Sequence, residues 1–178
     1  MKKVVKFGGS SLASAEQFMK VGAIIRADES RRYVVPSAPG KRFSDDTKVT
    51  DMLYHCYELA EQSKAFNKQL NQIKDRYNEI INGLKLDFSL DEDFEIIKKQ
   101  FVAKAGSMYA ASRGEYLNGK IMAKYLGYEF VDAANVIRFN KDGSFDSETT
   151  NELLATYLDK IERAVIPGFY GAMKNGTV

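Results

Sequence analysis

The sequence predicts an α/β sandwich with a mainly parallel sheet. Two observations carry that prediction. Short β-branched segments alternate along the 178 residues with stretches whose apolar residues recur every three or four positions. The first forty residues read strand, glycine turn, helix, strand, glycine turn, which is the unit of a parallel pair joined by a right-handed crossover. One domain accounts for this length, and no internal repeat or low-complexity tract interrupts it.

In chain order, "KKVVKF" (2–7) is short and β-branched and reads as a buried strand. Ala15 to Arg26 carries Phe18, Gly22 and Ile25 at helical spacing. "RRYVVPSA" (31–38) is a second strand running into the turn "PSAPGK" (36–41). The middle is helical. Met52, Cys56, Leu59 and Ala60 form one stripe, and Phe66, Leu70, Ile73, Tyr77, Ile80, Ile81 and Leu84 form another. A third helix follows "LDFSL", with Ser89 or Asp91 as its cap and Phe94, Ile97 and Phe101 inward. These helices read as packing elements.

From Ser112 a helix presents Leu117, Ile121, Met122, Tyr125 and Leu126 on one face and stops at Gly127. "YEFVDAANVIRF" (128–139) supplies one or two strands, and "NKDGSFD" (140–146) is a turn. A last helix carries Leu154, Leu158 and Ile161. "RAVIPGFYGA" (163–172) is a strand broken at Pro167-Gly168.

Hydrophobic residues at 44% and charged residues at 28% fit a globular chain. The net charge of +2, with both signs interleaved, argues against a nucleic-acid surface. One cysteine, Cys56, forms no internal disulfide, and with the one histidine, His55, it cannot build a zinc cluster; both read as helix side chains. The apolar run at the amino terminus stops at Lys6, and no stretch approaches the roughly 20 apolar residues of a membrane span. The expectation is a cytoplasmic protein with neither a membrane nor a nucleic acid as partner.

Three segments suit chemistry. In "KFGGSS" (6–11) the glycines follow a strand and precede a helix, so backbone N–H groups can approach an anion and Lys6 can add a full charge. The spacing is that of neither a Walker A loop nor a Rossmann fingerprint. The same residues also suit a plain strand-to-helix turn with Lys6 in solvent. "SAPGK" (37–41) is a second glycine turn after a strand, and ligands of open α/β sheets lie at the carboxyl ends of strands. Ser37, Gly40, Thr47 and Thr50 are then candidate contacts, and "KRFSDDTK" equally suits a solvated loop. Glu115 in "SRGEYLNG" falls in the first turn of its predicted helix, where the dipole favours an acid in any case; as a functional group it would receive a substrate ammonium.

Together these segments resemble the aspartate kinases of the amino acid kinase superfamily. "VVKFGGSSLAS" is similar to that family's opening phosphate motif, "VVPSAPGKRFSDDTKVTDML" to its second-strand serine turn and threonine, and "SRGEYLNGKIMAKYL" to its Ser-x-Gly-Glu helix. "FVDAANVI" and "IPGFYGA" resemble its later strands, so the likeness runs in order along the whole chain. It implies a three-layer αβα sandwich of amino acid kinase type, incomplete at its C-terminal side. The implied reaction moves the ATP γ-phosphoryl group to the side-chain carboxylate of L-aspartate, giving 4-phospho-L-aspartate on the way to lysine, threonine and methionine.

The resemblance implies that Lys6 neutralises the transferring phosphoryl group, that Gly8, Gly9 and Ser10 hold its oxygens, and that Ser37 lines the site. Thr50 and Glu115 would bind aspartate, Glu115 through the amino group, with Thr47 a rival to Thr50. Mg²⁺ would accompany ATP, carried by phosphates and water rather than by protein ligands. Residues 1–178 correspond to the aspartate-binding part of the domain. The Arg-Gly-Gly-Ser-Asp segment, the nucleotide-binding half and the ACT domains of family members are not in the sequence, so the piece alone is expected to be inactive and its full-length parent to be a homo-oligomer. Two other readings are a superfamily member with a different acceptor, such as glutamate or a nucleoside monophosphate, and a non-catalytic module that binds an anion or small molecule.

Overall fold

The computed structural model describes residues 1–178. The chain runs β1 (Lys3–Phe7), a 3-10 turn (Gly9–Leu12), α1 (Ala15–Arg26), β2 (Arg31–Pro36), α2 (Val49–Glu61), α3 (Asn67–Gly83), α4 (Asp91–Val102) and α5 (Ser107–Leu126). It continues through β3 (Glu129–Phe130), α6 (Ala133–Val136), β4 (Arg138–Phe139), α7 (Ser147–Asp159), β5 (Ala164–Val165) and β6 (Ala172–Met173). The main sheet is wholly parallel in the order β1-β2-β5-β3, and β4 and β6 form a separate parallel pair. The predicted β1–α1–β2 unit is present, with α1 at the predicted residues.

Period-two alternation builds the layers. Val34 and Val165 point into a large cluster with Phe18, Ile25, Leu117 and Ile121, which packs α1 and α5 on one face of the sheet. Their neighbours Tyr33, Ala164 and Ile166 point the other way, into a smaller cluster with Val136, Leu154 and Leu158 from α6 and α7. Helices α2, α3 and α4 stack outside α5 on the larger cluster, where Tyr77, Ile97 and Phe101 are fully buried. No helix is long and apolar enough to cross a membrane.

Several expectations need correction. β1 is not a buried strand. It pairs only with β2 at the sheet edge, so Val5 and Phe7 pack inward while Val4, 67% exposed, and Lys6 face out. The buried stripe of α2 is Val49, Leu53, Cys56, Tyr57 and Ala60; Met52 and Leu59 sit at its margins. At the start of α4 neither candidate side chain caps the helix: the cap position is Leu90, and Ser89 Oγ instead accepts from the N–H of Asp91 at 3.0 Å.

The largest difference is in α5, which begins at Ser107 rather than Ser112. Ala110, Ala111 and Ser112 are small and fully buried, so burial carries the helix upstream of the predicted start. "YEFVDAANVIRF" resolves into β3 and β4 with the helical turn α6 between them. Asp132 caps α6 by accepting from the N–H of Ala134 at 3.0 Å. Cys56 is fully buried, and burial pushes its thiol up to about 12, which leaves it no nucleophilic character at neutral pH.

Candidate active site

The two glycine turns meet. β1 and β2 are adjacent and parallel, so the turns that leave their carboxyl ends lie side by side. Contact between them is closer than a side chain allows. A Cβ on Gly9 would stand 2.8 Å from the carbonyl oxygen of Ala38, and one on Gly40 would stand 2.7 Å from the carbonyl carbon of Gly9. The N–H of Gly40 donates to the carbonyl of Gly9 at 2.8 Å, which fastens the turns together.

Every residue of the turn Pro36–Gly40 is tied by a hydrogen bond, and the partners come from all around it. The N–H of Ser37 donates to Phe7 of β1 at 3.0 Å, the N–H of Gly168 to Pro36 at 3.2 Å, and the N–H of Val49 at the start of α2 to Pro39 at 3.3 Å. From α5, Asn118 Nδ2 donates to the carbonyl of Ser37 at 2.6 Å, and Glu115 Oε1 accepts from the N–H of Ala38 at 3.1 Å. From α3, Arg76 Nη2 donates to the carbonyl of Gly40 at 3.1 Å. Gly114 makes this closeness possible: a Cβ there would be 2.8 Å from that of Ala38 and 3.5 Å from Thr50 Cγ2.

Over this turn lies a cleft of about 490 Å³ lined by Gly9, Ser10, Ser37, Ala38, Pro39, Gly40, Lys41, Lys48, Thr50 and Glu115. That size is within the range of roughly 300–1,000 Å³ usual for small-molecule sites. Gly9, Ser10, Ser37, Thr50 and Glu115 are therefore gathered at one place, as is Gly40. Lys6 and Gly8 are not on the lining: Lys6 is exposed on the outward face of β1, and nothing lies within 4 Å of where a Gly8 Cβ would stand. Thr47 faces a different cleft of about 550 Å³ between α2 and α3.

Glu115 is the chemical centre of the cleft. It lies in the third turn of α5, not the first, so the helix dipole does not account for it. The residue is 6% exposed, Oε1 has the Ala38 N–H, and Oε2 is buried with no partner at all. Burial raises its pKa above 4.5, with the Ala38 N–H pulling the other way. A buried carboxylate with one empty acceptor is a costly feature for the fold and a ready receptor for a cationic donor.

Sequence reasoning missed Arg76 and Asn118. Arg76 is 5% exposed, pairs with Asp46 at 3.0 Å, and donates to the carbonyls of Thr47 and Gly40, so it clamps both ends of the 40–47 loop. Arg42 closes the same network through Asp46 at 2.9 Å and Glu79 at 2.8 Å. A polar residue beside the apolar stripe of α3 gives no local sign that a distant loop will fold onto it. Replacing Arg76 by Met, which keeps the stem but orphans two carbonyls, is expected to lower unfolding free energy by about 2 kcal/mol in a denaturant titration.

No group of three or more His, Cys, Asp or Glu residues is placed to hold a metal ion. The cleft is thus a polar crevice with a glycine-rich backbone wall, a hydroxyl from Thr50 and a buried acid. The sequence matches the amino acid kinase family over residues 1–178. Aspartokinase 3 of Bacillus subtilis is 34% identical over 190 residues, which cover 99% of this chain and 42% of that protein. The crystal structure of Clostridium acetobutylicum aspartate kinase superposes with a TM-score of 0.95 at 48% identity, covering 99% of this chain and 41% of that one. Escherichia coli aspartokinase III, solved with aspartate and ADP, shares the fold with a TM-score of 0.81 at 22% identity, over 99% of this chain and 42% of its own. The chain spans about two fifths of the length of these relatives. With the fold, the paired glycine turns and a match along its full length in agreement, the chain belongs to the amino acid kinase family.

Proposed function

We propose that residues 1–178 form the acceptor-binding part of an aspartate kinase, which transfers the γ-phosphoryl group of ATP to the side-chain carboxylate of L-aspartate. The observation that carries this reading is the unpartnered Oε2 of Glu115, buried where a substrate ammonium would meet it, in a cleft whose other wall is the Gly9-Ser10 backbone. The aspartate kinase names of the 48%- and 34%-identical relatives support aspartate as the acceptor.

On this reading Glu115 takes the amino group, Thr50 and Ser37 line the acceptor pocket, and the N–H groups of Gly8, Gly9 and Ser10 hold phosphoryl oxygens. Lys6, on the outward face of β1, offsets the charge of the phosphoryl group from the nucleotide side. Phosphoryl transfer asks chiefly for positioning and charge stabilisation. A carboxylate acceptor with an ordinary pKa of about 4 is already ionised at neutral pH, so no general base is required, and no histidine lines the cleft. Mg²⁺ would arrive on ATP, held by phosphate oxygens, and would neutralise their charge.

The test is aspartate-dependent ADP release by the intact gene product, wild type against Lys6→Ala. Turnover is expected to fall by about a hundredfold or more with the aspartate KM little changed. Unchanged turnover in the variant, or ADP release that L-glutamate supports as well as L-aspartate does, would overturn the assignment.

A further inference from the structure

α3 lines no part of the cleft, yet two of its consecutive residues hold opposite walls of it. Tyr77 belongs to the apolar stripe of that helix and is fully buried, with its ring 6.2 Å from that of Phe94. Its hydroxyl departs from the stripe and donates to the carbonyl of Gly114 on α5 at 2.8 Å. That carbonyl shares a peptide plane with the N–H of Glu115, so Tyr77 grips the backbone unit from which the buried carboxylate hangs. A buried hydroxyl needs a partner, and Gly114 supplies it. Burial and the nearby Glu115 charge push the Tyr77 hydroxyl well above its ordinary 10, so it remains a donor throughout the neutral range.

Arg76, one residue earlier, reaches the other wall. Nη2 donates to the carbonyl of Gly40 at 3.1 Å and Nη1 to that of Thr47 at 3.2 Å, which brackets the loop between the second glycine turn and α2. Gly40 is bonded in turn to Gly9, so a shift of the guanidinium passes through one hydrogen bond to the glycine-rich backbone of the first turn. Both side chains spring from one seventeen-residue helix packed on the core, so the separation of the two walls is set from a single rigid element. Transfer rates depend steeply on such a separation: a misplacement of about 1 Å can cost about a hundredfold.

We propose that Tyr77 and Arg76 are positioning residues of the reaction, Tyr77 setting the place of Glu115 and Arg76 that of the Gly9–Gly40 backbone. This rests on the acceptor-site reading of Glu115. Neither side chain lines the cleft, and each acts through the backbone it holds.

The test is aspartate-dependent ADP release by the intact gene product carrying Tyr77→Phe, Arg76→Lys or Glu115→Gln, and each of the first two combined with the third. Tyr77→Phe deletes one oxygen and leaves the ring in place. It is expected to raise the aspartate KM about fivefold at unchanged kcat, which marks weakened binding rather than slower chemistry. Once Glu115→Gln has removed the charge being positioned, Tyr77→Phe is expected to add no further rise. Arg76→Lys keeps a charge for Asp46 but cannot span both carbonyls. It is expected to lower kcat per folded enzyme about tenfold at unchanged aspartate KM, and to do so equally in the Glu115→Gln background. A merely structural role would lower the melting temperature and the folded fraction and would move neither the aspartate KM nor the turnover of the folded enzyme. If Tyr77→Phe leaves the aspartate KM unchanged, or raises it as much on top of Glu115→Gln, the role of Tyr77 is overturned and the reading of Glu115 stands. An unchanged kcat in Arg76→Lys, or a rise in aspartate KM in its place, overturns the role of Arg76 in the same way. If the wild type releases no ADP with aspartate, or Glu115→Gln leaves the aspartate KM unchanged, the acceptor reading falls and this proposal with it.

Discussion

Alanine at Gly40 is expected to lower stability by about 2–3 kcal/mol, and alanine at Gly8 to leave stability where it is. The atoms a Gly40 Cβ would meet are Gly9 C at 2.7 Å, Ser10 N at 2.8 Å and Gly9 O at 2.9 Å. All are backbone, so no rotamer change relieves the clash. The turns must part, and the Gly40-to-Gly9 hydrogen bond of 2.8 Å goes with them. At this chain length the loss corresponds to a fall in Tm of roughly 5–10 °C by calorimetry. Gly8 has φ −78° and ψ 167°, which any residue adopts, and open space around its missing Cβ. Its replacement should leave Tm alone and, if Gly8 holds phosphoryl oxygens as proposed, weaken ATP binding, because the methyl group would stand where those oxygens approach. A Gly8→Ala variant that melts early, or that binds ATP like the wild type, would remove Gly8 from the phosphate site.

Glu115→Gln is expected to weaken aspartate binding by about a hundredfold while holding or raising the melting temperature at neutral pH. The stability half follows from the direction of the pKa shift. Burial raises the folded value above 4.5, so between the unfolded and folded values the native state binds more protons than the unfolded chain. Stability from this group therefore falls as pH rises through that window, and the full penalty persists above it. Asp46 acts in the opposite sense: hydrogen bonding from Arg42 holds its pKa below 3.8, so its contribution is present above that value and is lost on acidification. Subtracting the variant's Tm–pH curve from that of the wild type isolates Glu115. A difference curve that stays flat between pH 4 and 8 would show that the carboxylate carries no such cost.

What could be read from the sequence was what is local. The strand–turn–helix at the amino terminus and the C-cap at Gly127, where φ is 70°, are written in a few adjacent residues. The start of α5 was not, because Ala110 to Ser112 are helical through burial among other elements. Gly9, Ser37 and Thr50 were found because glycine turns after strands stand out in any sequence, Glu115 as an acid at the start of a predicted helix, and Ser10 through the resemblance to the aspartate kinases. Arg76 looked like one more charge on a helix, and Asn118 sits between Leu117 and Gly119 with nothing to mark it. Their contacts reach across 36 and 81 residues, from Arg76 to Gly40 and from Asn118 to Ser37, and spacing along a chain does not encode such distances.

Those same separations bear on when the turn Pro36–Gly40 takes shape. Its anchors arrive from β1, α2, α3, α5 and the segment after β5, so loop-closure entropy over most of the chain has to be overcome before the last of them is in place. The turn should be among the final segments to order during folding. Once made, it has no local route to opening, since freeing any one peptide group leaves the others held. The amides of Ser37, Ala38 and Gly40 should accordingly exchange with deuterium only through global unfolding, at rates nearer those of the β2 core than of a surface connection.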